Sequence, residues 1–175
     1  MNISEIKQAI QASHSALMNM VEALSEAQCM VPPAEKWTGL QHIKHIELTV
    51  TPLLKFLSDR EKLFSRNFGE TNAPPKSYQA IEEEYLKLLL PGLLAPERYT
   101  PGPILYIDKQ ITFEELQIKI NALKQSLDQW SEEELDRFVI PHPLMGNISL
   151  REQLYFCIYH PKHHLKNVER TLLNH

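Results

Sequence analysis

An all-α fold, a four-helix bundle with one short extra helix and a long proline-rich loop, is what this 175-residue sequence predicts. Two observations carry it. Four long stretches place apolar residues at helical spacing with a polar face opposite, and no stretch of any length shows the apolar/polar alternation of a strand. Three Ser/Thr-x-x-Glu/Gln signatures then mark helix starts, at Thr38–Gln41, Thr112–Glu115 and Ser149–Glu152. Four rods with core-facing stripes bury those stripes most simply against one another.

The first predicted helix covers about residues 3–24, where Ile3, Ile6, Ile10, His14, Leu17, Val21 and Leu24 share a face and Asn2 with Glu5 forms the N-terminal cap pair. His14 falls within that apolar face, as a hydrogen-bonded core histidine or as a group lining a site from across the bundle. The segment SEAQCMVPPAEKW reads as a connector, because Pro32-Pro33 bars helix. Helix two opens at Thr38 and runs to about Arg66 on Ile43, Ile46, Val50, Leu53, Leu54, Leu57 and Phe64, with a kink expected at Pro52. His42, His45 and Thr49 lie together on one flank of it. A short helix is expected over residues 77–90. Residues 91–110, rich in proline, read as a long excursion over one end of the bundle. Helix three, from Thr112 to about Trp130, buries Leu116, Ile120, Leu123 and Leu127; one more helical turn starts at Ser131. FVIPHPLMGN reads as a turn-rich link, in which His142 is expected to cap or to make a structural hydrogen bond. Helix four runs from Ser149 to about Leu173.

Composition bounds the rest. The length suits a single domain, residues 1–175, able to bury roughly 70% of its unfolded surface around one core. A net charge of -4 with dispersed acids offers no basic field for nucleic acid. No run of 18 apolar residues and no signal segment occurs in the sequence, so neither membrane insertion nor export is expected. Two cysteines, Cys29 and Cys157, without CxxC spacing suit reduced thiols in a cytoplasmic protein. Apolar flanks on long helices can pair with a symmetry mate; the sequence leaves a homodimer undecided.

Three of the eight histidines fall in the stretch Tyr159–Arg170. At 100° per residue, His160 and His164 project from one helix face, near enough to share a divalent ion, and His163 points elsewhere. With Leu150, Leu154, Cys157, Pro161, Leu165, Val168 and Leu172 facing the core, Gln153, His160, His164, Asn167 and Thr171 form a polar stripe along the edge of that band, where bundles build cofactor sites. An i,i+4 pair needs a third ligand. The spacing equals that of the H-E-x-x-H peptidases, yet Pro161 stands where their general base would be. Di-iron Glu-x-x-His pairs are absent, because the residues three before His45, His160 and His164 are His42, Cys157 and Pro161. Cys157 reads as an inert core thiol, Glu47 lies on the far side of its helix's apolar band, and His163 and His175 read as solvated surface.

Trp37-Thr38, then His45-Ile46, then His142-Pro143 with Gly146-Asn-Ile-Ser149, then His160, His164 and Asn167-Val168 together resemble the DinB/YfiT-like superfamily. The likeness spans essentially the whole chain, with its specific elements in helices two and four. It implies an up-down-down-up four-helix bundle holding a divalent ion, nickel or zinc, on one histidine of helix two and two of helix four. Carried over, those are His45, His160 and His164, with His42 as the other candidate for the first. Pro161 between the paired ligands and the lack of a fourth protein ligand depart from or extend that pattern. The resemblance further implies a small-molecule substrate and either a thiol transferase using a low-molecular-weight thiol or a metal-dependent hydrolase; a non-catalytic binding or stress-response module on the same bundle is the alternative. Three neutral imidazoles leave an ion its full +2 charge and open positions, enough to bring water toward a pKa of about 7. Imidazole ligates only when neutral, so an ion is expected to leave below about pH 6.5.

Overall fold

The computed structural model describes residues 1–30, 37–66, 68–89 and 94–173. Four long helices make the body: α1 (Ile3–Glu22), α3 (Gly39–Ser58), α6 (Lys109–Ser126) and α8 (Leu150–Leu173). Between them lie α2 (Glu26–Met30), α4 (Arg60–Arg66), α5 (Tyr78–Leu88) and α7 (Glu132–Arg137).

Cross-contacts fix the direction of each rod. Met1 Nα donates to the Tyr155 hydroxyl, His14 shares a pocket with Gln153 and Cys157, and Leu24 shares one with Val168, so α1 and α8 run the same way. Lys44 bonds Glu115, Lys119 bonds Thr51, and Trp130 Nε1 donates to Leu57 O at 2.9 Å; α3 and α6 are therefore also parallel. Lys124 meets Gln11 and Lys109 meets Glu22, which sets α1 against α6. The result is up-down-down-up, and its parallel α3/α6 pair requires the long crossover that residues 59–108 supply.

The core consists of the residues the periodicity selects: Ile6, Ile10, Leu17 and Val21 of α1, Ile43, Ile46 and Leu57 of α3, Leu116, Ile120 and Leu123 of α6, and Leu150 and Leu154 of α8 are buried. Asn2–Glu5, Thr38–Gln41 and Ser131–Glu134 form reciprocal capping boxes, and Ser149 and Glu152 bond each other's backbone N–H in the same way.

Four expectations need correction. Helix two does not run unbroken to Arg66: α3 passes through Pro52 and ends at Ser58, where Asp59 leaves the helical region. The Leu57 carbonyl, which would continue the helix, is taken by the Trp130 indole and the Gln129 amide. Phe64 consequently stays 43% exposed, leaning on Phe138 instead of the core. Helix three starts at Lys109, not Thr112, because a 3₁₀ turn at Tyr106–Asp108 feeds straight into it; the Thr112 hydroxyl bonds Asp108 O and caps nothing. The link before α8 is a β-hairpin, β1 (Val139–His142) with β2 (Gly146–Ser149), pairing Ile140 with Ile148. His142 Nδ1 accepts the Leu144 and Met145 N–H groups and so shapes its turn. Four-residue strands are too short to register as alternation. The connector read over SEAQCMVPPAEKW holds the helix α2 (Glu26–Met30); its Pro32-Pro33, the start of the proline-rich excursion and His175 lie outside the described residues.

Arg151 fastens the N-terminus and α7 to α8. Its guanidinium, 7% exposed, donates to Asp136, to Glu132 Oε2 at 2.7 Å and to Met1 O at 2.6 Å. Arg151→Met removes a buried charge from carboxylates that are themselves half-exposed and can rehydrate, so the expected loss sits at or below the lower end for broken buried pairs, about 3 kcal/mol. A urea titration showing less than about 1 kcal/mol would contradict the network's role.

Candidate metal centre

His42 and His45 sit one turn apart on α3, and His160 and His164 one turn apart on the antiparallel α8, so two imidazole pairs face each other across the bundle. All four rings are buried, at 4–6% exposure. One ring nitrogen from each of His45, His160 and His164 lies within 4.8 Å of the other two. His45 Nε2 is 3.2 Å from His160 Nε2, and His164 Nε2 is 3.0 Å from the same atom. Two nitrogens on a tetrahedral ion with bonds of about 2.05 Å lie about 3.4 Å apart, so the spacing fits a shared cation.

The outward nitrogens support the same assignment. His45 Nδ1 is 2.7 Å from Tyr99 O, a pure acceptor, so it carries the hydrogen and leaves Nε2 as a lone pair. His164 Nδ1 is 2.8 Å from His42 Nδ1, and His160 Nδ1 is 3.5 Å from the Thr49 hydroxyl. Each inward-facing ring is thus oriented by a second group, as metal-ligating histidines are. Three Nε2 atoms meeting without a carboxylate among them form a donor set that could hold a divalent cation. His42 contributes through His164: its Nδ1 engages the Nδ1 of that ring, and it lies outside the three-histidine group.

Burial sets the protonation. It pushes His42 down to about 3 and His45 down to about 4, and holds His160 and His164 well below the ordinary histidine range. The three rings of the cluster are therefore neutral at pH 6.5, and protons compete for them only at lower pH than the sequence alone suggests. Trp37 stands over the cluster, its ring centroid 4.5 Å from that of His45 and 5.8 Å from that of His164, nearly parallel to the latter. The cavities beside the histidines are small, about 10 Å³ each, room for one water-sized molecule.

Other sequence candidates fall outside. His163 is half-buried, edge-on to Tyr85 and bonded to Asn167, more enclosed than a surface reading implies. Cys157 is buried with its thiol pushed up to about 12, which leaves no thiolate for nucleophilic chemistry. Glu47, 2% exposed, pairs with Lys44 and Lys119 on the opposite side of α3. Periodicity could not find Tyr99: its role is played by a backbone carbonyl, and only the path of the proline-rich segment brings it to His45.

This fold has relatives. The sequence matches the DinB superfamily over residues 9–168. The chain belongs to that superfamily. YuaE of Bacillus subtilis strain 168, described as an uncharacterised protein, is 26% identical over 156 residues, covering 86% of this chain and 87% of YuaE. Among solved structures, the four-helix bundle protein TT2238 superposes with a TM-score of 0.61 at 18% identity, over 96% of this chain and 98% of its own. YfiT from Bacillus subtilis, described as a probable metal-dependent hydrolase with an unusual four-helix bundle topology, gives 0.58 at 16% identity over 97% and 85%. At these identities the structural likeness is one of fold. None of the described helices of this DinB-superfamily chain is long and apolar enough to cross a membrane.

Proposed function

We propose that this DinB-superfamily protein is a metal-dependent enzyme acting on a small molecule, with zinc or nickel held by His45, His160 and His164. The observation that carries the reading is the meeting of one ring nitrogen from each of three buried histidines, with His45 and His164 held from behind by Tyr99 O and His42. A bound ion would supply Lewis acidity there, activating water or a low-molecular-weight thiol. The protein's own part is to present three neutral donors and no carboxylate, which preserves the ion's charge. Three donors also leave at least one tetrahedral position free. Hydrolysis and thiol transfer both use that position. The description of YfiT as a probable metal-dependent hydrolase supports the first, and its likeness to this chain is in fold.

A non-catalytic binding module is favoured by one feature, the near-complete enclosure of the three rings beside cavities of about 10 Å³. Turnover separates the two. Protein stripped with a chelator and reloaded with zinc or nickel is expected to regain activity toward activated esters, or toward electrophiles with a thiol present. Stoichiometric metal without turnover in either assay would favour the binding module, and protein that takes up no metal would remove the enzyme reading.

A further inference from the structure

A pocket of about 10 Å³ lies between α1, α3 and α8, lined by His14, Thr49, Gln153 and His160 among hydrocarbon that includes Val50 and Phe156. His14 Nδ1 is 2.8 Å from Ile10 O, a pure acceptor, so it carries the hydrogen and Nε2 is a lone pair. That Nε2 is buried and has no hydrogen-bond partner among the described residues, and neither has the buried Gln153 Oε1. Two unpaired acceptors therefore belong to residues walling one water-sized space, where an unmet acceptor loses its hydration and gains nothing. A third group on the same wall has the opposite need. With Nε2 turned to the metal site, His160 must carry its hydrogen at Nδ1, and the one acceptor near it, the Thr49 hydroxyl, is 3.5 Å away, at the limit of a hydrogen bond.

We propose that this pocket is a site for a single water molecule, which donates to His14 Nε2 and Gln153 Oε1 and accepts the Nδ1–H of His160. Two donors and one acceptor meet all three needs, and three hydrogen bonds are what a buried water typically makes. His14 and Gln153 then act as positioning residues: through the water they fix the tautomer and tilt of His160, as Tyr99 O does for His45 and His42 for His164. This role and the hydrogen bond from His160 rest on the metal-centre reading; the two buried acceptors that call for a water do not.

Two measurements on the full chain test the proposal. A crystal structure that resolves ordered solvent is expected to show density within hydrogen-bond distance of His14 Nε2, Gln153 Oε1 and His160 Nδ1, and an empty pocket would overturn the site. Cobalt affinity, read by competition with a chromophoric chelator, is expected to fall about tenfold in the double variant His14→Leu/Gln153→Leu. Its metal-free melting temperature should hold or rise, because both buried acceptors leave together with the water that serves them. His14→Gln, which restores an acceptor oxygen, should recover most of the affinity. Wild-type affinity in the double variant would overturn the positioning role. A wild-type protein that binds no cobalt would instead overturn the metal-centre reading, and the density alone would then decide the water.

Discussion

His45→Ala, His160→Ala and His164→Ala are each expected to lose the divalent ion that wild-type protein holds at about one per chain, while His163→Ala keeps it. The reason is geometric. The three Nε2 atoms supply the only cluster of metal-ligating side chains found among the described residues, and no neighbouring carboxylate can stand in for a missing ring. His163, against Tyr85 and Asn167, points away from it. His42→Ala is the informative intermediate. It leaves all three donors but frees His164 to turn, and lost second-shell partners typically cost 10–100-fold in affinity; the ligand variants should lose more than that. Inductively coupled plasma analysis of the five proteins gives occupancy, and chelator competition gives the order. Equal occupancy in His163→Ala and His164→Ala would end the assignment. Equal loss in His42→Ala and His45→Ala would mean that His42 is itself a ligand.

The parts of this molecule that follow from local periodicity were legible, and the parts decided by tertiary competition were not. Ile6, Ile10 and Leu17, or Leu116, Ile120 and Leu123, are buried because a helix with that spacing has only one face to bury. Nothing within α3 itself announces a stop at Ser58; the break appears only when Trp130, 73 positions later, claims the Leu57 carbonyl. Thr112 and Glu115 carry the letters of a capping box, but the preceding 3₁₀ turn had already started the helix. In the three-histidine cluster, two of the rings share a face through their i,i+4 spacing on α8. The third came from the likeness in Trp37–Thr38 and His45, since helical phase alone left His42 and His45 equivalent. What separates them is a backbone carbonyl and a ring nitrogen on other elements: Tyr99 O fixes His45, while His164 engages His42. Of the polar stripe on α8, Gln153 and His160 wall one pocket.

Metal-free protein should unfold cooperatively in acid near pH 5, above the range where ordinary carboxylates protonate. Burial lowers His14, His45 and His142 to about 4 and His42 to about 3, from 6.5 in an exposed chain, and holds His160 and His164 low as well. Between 6.5 and about 4 the unfolded chain therefore binds more protons than the folded one, and stability falls as pH falls. It is fully present above 6.5. Each such ring can remove up to about 1.4 kcal/mol per pH unit, so the four with a stated value remove on the order of 5 kcal/mol per unit, against a domain stability of about 5–15 kcal/mol. Paired carboxylates act lower: the Arg60 hydrogen bonds to Glu134 hold it at about 2, so its contribution is lost between 4.5 and 2. Thermal unfolding of the stripped protein from pH 7.5 to 4.5 is the measurement, and a melting temperature flat from 7 to 5 would show that the rings are not buried neutral. Saturating zinc should move the acid midpoint downward, because an ion that binds only the folded protein stabilises it by mass action and competes with protons for the three rings. A midpoint unmoved by zinc, with the histidine-driven acid loss intact, would separate the two claims: the rings would be buried and neutral, yet they would not close on a metal.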